Sequence, residues 1–220
     1  MGRAEVADVF EAAATNFAAI PRPAFGRAAQ HLPAAPSPKR TKAEACYQRA
    51  AKTAAELLPS LPAIGEAIHC LMLGTFDLCQ VIAATLKLAP TCWHLRIATL
   101  CFSKRNAAEL LSLLETHPEL RLTMLVSEFF QGHNKEMFEG FAGDLHDYPD
   151  RARIAAARSH AKVVTFDIGP GDGLVFEGSA NLRTNGNREQ LTVIRDRELH
   201  EWHAGWIDGL VDIHGSRTEK

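Results

Sequence analysis

From residue 66 to the C-terminus, short apolar runs alternate with segments whose apolar residues recur at helical spacing. No other feature constrains the fold as much. Strands alternating with helices bury their apolar faces by forming a sheet with helices packed on it. Residues 67–73 read as a buried strand. Residues 75–88, with Leu78, Ile82 and Leu86 on one stripe, read as a helix stopping before Pro90. A second strand is expected over 95–102, and Ser103 is suited to cap a helix from Lys104 to Thr116. Residues 121–128 follow as a strand and 134–146 as a helix. Short strands are expected at 153–157, 160–166, 174–177 and 190–195. A closing helix carries Leu199, Trp202, Trp206, Leu210 and Val211 on one stripe. The prediction is an α/β domain with a mixed sheet.

The N-terminal part reads differently. Residues 5–20 are alanine-rich and helix-compatible, and Pro21, Pro23, Pro33, Pro36 and Pro38 then make residues 21–40 a linker. A further helix is expected over 42–58. The division is thus an N-terminal helix and proline-rich linker over 1–42 and a main domain over 43–220. Acidic residues stand where a signal peptide would carry its apolar stretch, and no apolar run is long enough to span a bilayer. A cytoplasmic protein without stable membrane association is expected. Five cysteines, an odd number with no Cys-x-x-Cys pair, read as buried free thiols. A net charge of −2 argues against coating nucleic acid by bulk charge and leaves a local basic patch open.

The residues that carry chemistry lie between Ser159 and Arg195. His160 and Lys162 stand two apart in an apolar stretch, so in a strand they share one face. An imidazole beside an ammonium is a poor structural pair, because like charges disfavour protonated histidine. It is a good pair for attack on phosphorus: the cation holds an oxygen while the neutral ring attacks. Gly178, Ser179 and Asn181 offer close backbone approach, a hydroxyl and an amide, all suited to phosphate oxygens. Glu189 opens the last strand and is placed to accept from the second ring nitrogen of His160, fixing the tautomer. Without the later elements, a histidine and a lysine near a strand read more simply as a half-exposed sheet face.

The ordered set His160, Lys162, Asp167, then Gly178-Ser179-Ala180-Asn181, then Glu189, resembles the phospholipase D superfamily, whose signature is His-x-Lys-x4-Asp followed by Gly-Ser-x-Asn. The resemblance implies a phospholipase D-like mixed sheet flanked by helices. It implies a covalent phosphohistidine on His160, with Lys162 and Asn181 on the non-bridging oxygens, Ser179 assisting and Glu189 orienting the nucleophile. Asp167 and Gly178 would be structural. Ten residues separate Asp167 from Gly178, more than the family usually shows, and the Gly169-Pro170-Gly171-Asp172-Gly173 string reads as a longer hairpin tip. No metal or other cofactor is implied.

The full pattern occurs once, whereas the reaction needs a second histidine as acid and water activator. The resemblance therefore implies a homodimer sharing one site between two copies of His160. Arg183 and Arg188 are candidates for gripping a polyanion, equally readable as solvated loop arginines. Between Arg151 and Arg197 the chain holds eight Lys or Arg against five Asp or Glu, which favours a nucleic-acid substrate. A phospholipase or phosphatidyl transferase, and a non-catalytic nucleic-acid-binding module, are the alternatives. His200 and His203 do not have metalloprotease spacing and read as surface or helix-end histidines. Residues 133–135, just past a strand, are possible substrate contacts that a helix start explains adequately.

Overall fold

The structure is a computed structural model, and it describes residues 46–183 and 186–215, with side chains from residue 52 onward. The helix and linker expected over residues 1–42 lie outside the described residues. The described residues fall within one unit of the chain, Pro33–Lys220.

Eight strands form one mixed sheet: β1 (Cys46–Ala51), β2 (Ala67–Met72), β3 (His94–Thr99), β4 (Arg121–Ser127), β5 (Ala152–Ala157), β6 (Val163–Gly169), β7 (Asp172–Gly178) and β8 (Glu189–Ile194). Their order across the sheet is β1-β2-β8-β7-β6-β3-β4-β5. β1 runs parallel to β2, and β3, β4 and β5 are mutually parallel. β6, β7 and β8 pair antiparallel with one another and with their outer neighbours. The helices are α1 (Ala54–Leu57), α2 (Leu78–Leu88), α3 (Lys104–Thr116), α4 (Glu128–His133), α5 (Lys135–Asp144) and α6 (Arg197–His214), with a 3-10 turn at Leu145–Asp147.

Local chemistry sets the helix starts. Asp77 accepts from Gln80 N at the head of α2 while Gln80 Oε1 accepts from Asp77 N, a reciprocal capping box. Ser103 caps α3 by accepting from Asn106 N, and Asp196 caps α6 by accepting from Leu199 N. Residues of α2 to α5 bury the larger core on one sheet face, around Ile82, Leu110, Phe166 and Phe176. On the other face α6 packs Ile207 and Val211 over Ala98, Leu125, Val163 and Val175.

Three expectations change. Residues 46–51, expected as part of a helix over 42–58, form β1, and only Ala54–Leu57 is helical. The parallel ladder with β2 outweighs the helical preference of an alanine-rich stretch. The strand expected from His160 begins at Val163, so the motif histidine and lysine precede the strand. Finally, the hairpin strands run further into the glycine-rich string than the expected 160–166 and 174–177. β6 runs to Gly169 and β7 starts at Asp172, leaving Pro170–Gly171 as the turn, with a register irregularity between Asp167 and Gly169. Among the described residues no helix is long and apolar enough to cross a membrane.

Candidate active site

The sheet end where β2, β3, β4 and β5 finish is also where β6 starts, β7 finishes and β8 starts. Ala98 pairs with Val163, Val163 with Glu177, Gly178 with Leu191, and Met72 with Glu189. α2 and α3 both begin at this end and direct the positive ends of their peptide dipoles toward it. In open α/β sheets this is the end that binds ligands.

His160, Lys162, Gly178, Ser179, Asn181 and Glu189 all stand here. His160 is exposed and Lys162 half-buried. Although both precede the ladder, Lys162 O still accepts from Gly178 N at 3.3 Å, which holds this stretch extended beside β7. Lys162 Nζ lies 3.1 Å from His160 Nδ1 and 3.1 Å from His160 O. An ammonium only donates, so Nδ1 must be the unprotonated nitrogen and a neutral ring carries its proton on Nε2. Burial pulls the Lys162 ammonium below the ordinary lysine value, while Cys101 and Glu189 act the other way.

Glu189, expected to steady His160, has its carboxylate bonded by Ser179 Oγ. Ser179 Oγ also accepts from Gln190 N at 3.0 Å. Ser179 thus spends its proton on Glu189, and the ring nitrogen Nδ1 is met by Lys162. Gly178 is needed for close approach: a Cβ there would overlap the Gln190 carbonyl of β8. Asn181 Oδ1 accepts from Leu100 N at 3.2 Å. With its oxygen engaged, the side chain keeps its Nδ2 donors for an anion. This loop is stitched to the loop after β3 by the Phe102–Leu182 bridge and by Ser103 N donating to Leu182 O at 2.9 Å.

Asn181, Arg183 and Glu189 line a cavity of about 10 Å³ together with Asp77 and Asn187, room for roughly one water. Arg188 is exposed. A larger cavity, about 900 Å³, lies along the outer side of β5 between α5 and α6 and contains none of the motif residues. Among the described residues no group of three or more His, Cys, Asp or Glu is placed to hold a metal ion. Cys70, Cys79, Cys92 and Cys101 are buried, and Cys79, Cys92 and Cys101 are free thiols.

Asp167 lies at the far end of β6, opposite His94 of β3. It forms an ion pair with Arg96, whose Nε donates to Asp208 of α6 at 2.8 Å. Arg153 in turn bonds Asp208 at 3.2 Å and Asp212 at 2.5 Å. Asp167 therefore ties β6 to β3 and, through Arg96, to the last helix. His200 and His203, read from sequence as surface or helix-end residues, are 5% and 4% exposed. The reason lies in β7. Gly173 has no side chain, and a Cβ there would overlap the His200 ring. His203 is held between Glu177 Oε1 at 2.8 Å and the indole N–H of Trp206 at 2.9 Å. Trp Nε1 only donates, so His203 Nδ1 accepts and Nε2–H faces Glu177.

Spacing alone also singles out His133 and Lys135, a second His-x-Lys pair. The structure separates their roles: His133 Nδ1 meets Phe129 O at 2.8 Å at the end of α4, and Lys135 pairs with Glu139 at 3.6 Å on α5.

No protein-family model and no curated protein matches the sequence. Solved structures do resemble this one. Nuc from Salmonella typhimurium, a phospholipase D family member, aligns at 14% identity with a TM-score of 0.48, over 69% of this chain and 96% of its own. Phosphatidylserine synthase from Haemophilus influenzae aligns at 15% identity with a TM-score of 0.50, over 69% of this chain and 39% of its own. Polyphosphate kinase from Porphyromonas gingivalis aligns at 10% identity with a TM-score of 0.47, over 70% of this chain and 27% of its own. At such identities the likeness speaks to architecture alone: a mixed sheet flanked by helices, similar in fold to the phosphatidylserine synthase.

Proposed function

We propose that this protein is a phosphodiesterase working through a covalent phosphohistidine on His160, that it is a metal-independent nuclease, and that two copies share one site. The observation that carries the reading is the convergence of Lys162 Nζ on His160 Nδ1 at 3.1 Å, at the same sheet end as Asn181, Ser179 and Glu189. In the free protein the ammonium caps the Nδ1 lone pair. A phosphate oxygen competes for that ammonium, and drawing it away uncovers the lone pair for attack.

The freed nitrogen forms a bond to phosphorus as the bond from phosphorus to the leaving oxygen breaks. Lys162 and the Asn181 amide hold the non-bridging oxygens, and the leaving oxygen takes a proton from an acid. His94 on β3 and His200 and His203 on α6 are buried and are not available for this. We assign the acid to His160 of a second copy, which then helps a water hydrolyse the phosphohistidine. An exposed His160, at the sheet end where Asn181 and Glu189 line a cavity of only about 10 Å³ that His160 does not itself line, suits a half-site that a second copy completes.

The test has two parts. Turnover of single- and double-stranded oligonucleotides, phospholipid vesicles and bis(p-nitrophenyl) phosphate is measured with EDTA present, followed by acid-labile phosphate trapped on His160. Labelled phosphate on His160 from an oligonucleotide supports the reading. Turnover of vesicles only moves the substrate to lipid, and stoichiometric binding without turnover makes the protein a binding module. In the second part, wild type is re-equilibrated with an equal amount of His160→Ala. A shared site leaves about a quarter of the dimers active, and independent sites about half of the subunits.

A further inference from the structure

We infer that Phe129, stacked on His133, is a landing surface for an unpaired base of a single-stranded nucleic-acid substrate whose phosphate sits at His160 and Lys162. This rests on the nuclease reading above and adds the form of nucleic acid that the site takes.

Phe129 is 65% exposed, whereas its neighbour Phe130 is buried at 5%. A single exposed phenylalanine is ordinary on a protein surface; the surroundings of this one are not. Its ring and the His133 imidazole lie 4.1 Å apart between centroids, inclined at 32°. The imidazole is fixed by its Nδ1 bond to Phe129 O at 2.8 Å. Ser127 Oγ accepts from Phe129 N at 3.2 Å and anchors the start of the turn. The two rings thus form a braced platform with little freedom left to lose when a base stacks on it. Every base offers a flat π face, so such a surface is sequence-tolerant and accepts only bases that are not already paired and stacked.

Its position points to the same substrate. α4 begins where β4 ends, at the sheet end that carries the motif. Ser127 pairs with Ala157 of β5, three residues before His160. β4 is two strands from β6 in the sheet order, a lateral step of about 10 Å, within reach of a short stretch of single strand. The connection is also physical. Phe130 packs on Phe102 with centroids 4.8 Å apart, and Phe102 bridges to Leu182 beside Asn181. Lys104, Arg158 and Arg183 are exposed at this same end, the cations a phosphate backbone running between platform and nucleophile would meet.

The experiment compares wild type, Phe129→Ala and Phe129→Trp on a single-stranded oligodeoxynucleotide, the matching duplex and bis(p-nitrophenyl) phosphate. Phe129→Ala should raise KM for the single strand at least about fivefold, the smaller end of one lost stacking contact. It should lower the ratio of single-strand to small-ester efficiency by the same factor, and Phe129→Trp should restore it. A fluorescent purine analogue in the single strand should be quenched on binding to the His160→Ala protein, and stay bright with the His160→Ala, Phe129→Ala double variant. Unchanged KM with persistent quenching overturns the inference and leaves the nuclease reading standing. Equal impairment on single strand and duplex also overturns it. If wild type neither cleaves nor binds any nucleic acid while the small ester turns over, the nuclease reading itself has failed.

Discussion

Replacing Arg96 with Met tests whether the motif aspartate is a structural post. Asp167 is 17% exposed and Arg96 9%. Removing the guanidinium leaves the Asp167 and Asp208 carboxylates without their shared partner. Breaking a buried pair from one side costs about 3–5 kcal/mol. The loss should also depend on pH. His200 Nε2 is 3.5 Å from Asp167 Oδ1 and, among the described residues, has no hydrogen-bond partner. Burial, with Arg96 adding to it, holds His200 below the ordinary histidine value while Asp167 pulls the other way. Without Arg96 the imidazolium becomes the natural partner of Asp167, and the folded-state value of His200 rises. In wild type the lowered His200 costs stability as pH falls below the unfolded value of about 6.5, and a higher folded value in the variant removes part of that loss. The deficit of Arg96→Met against wild type should therefore be about 3–5 kcal/mol near pH 8.5 and narrow by up to about 1 kcal/mol near pH 5.5, one unit below the unfolded value. Urea unfolding at the two pH values reads both numbers. A deficit under about 1 kcal/mol, the range of an exposed pair, or one that does not change with pH, would refute the reasoning.

Lys162→Gln should lower kcat on bis(p-nitrophenyl) phosphate by about 10²–10³ while far-UV dichroism is unchanged, since one preorganised contact to a charged oxygen is worth that much; a loss under tenfold removes Lys162 from the chemistry. Gly178→Ala forces a Cβ onto the Gln190 carbonyl, and at about 1–3 kcal/mol for overpacking the melting temperature should fall by several degrees. A shift within about 1 °C would mean that β8 yields there freely. Burial, reinforced by Arg96, pushes His94 down to about 3. A lowered histidine gives stability that is complete above the unfolded value of about 6.5 and is lost as pH falls toward the folded one. Between pH 6.5 and 4.5 wild type should lose about 2–3 kcal/mol through His94 alone, and His94→Gln should show a correspondingly flatter profile. Parallel profiles would put the acid sensitivity elsewhere.

What the sequence discloses follows from how local each determinant is. Lys104–Thr116 is legible to the residue because its cap at Ser103 and its leucine stripe lie within the segment. β1 is not, because only pairing with β2, some twenty residues on, makes an alanine-rich stretch extended. The motif residues are legible as a set through their spacing, and the structure gathers His160, Lys162, Ser179, Asn181 and Glu189 at one sheet end. Their hydrogen bonds were not legible: spacing does not reveal that Ser179 rather than His160 takes up Glu189, or that Lys162 reaches back to Nδ1. Burial of His200 and His203 depends on Gly173 and Glu177 of a distant strand, so helix position alone suggested a surface. In the sequence Phe129 is one more apolar residue near a strand end, and only its exposure beside a buried Phe130 separates it.

The spacing of the motif itself has a physical reading in this fold. Lys162 and Asp167 are five residues apart, an odd number, so in extended chain their side chains leave opposite faces, at about 3.3 Å of rise per residue. Val163 and Thr165 share the parity of Asp167, and Val163 packs under α6. Val164 and Phe166 share the parity of Lys162 and pack in the larger core. One element thus delivers an ammonium to the end and face where α2 and α3 begin, and a carboxylate to the opposite end under α6. A one-residue change between them would exchange the faces of every later side chain in β6. Beyond Asp167 no such constraint operates. The register irregularity and the Pro170–Gly171 turn lie at the end away from the site, so added length there lengthens the hairpin without moving Gly178, whose partner Leu191 and whose neighbour Lys162 are set at the other end of the ladder. The departure from the usual family spacing therefore falls in the one stretch of the motif where residue number is free to vary.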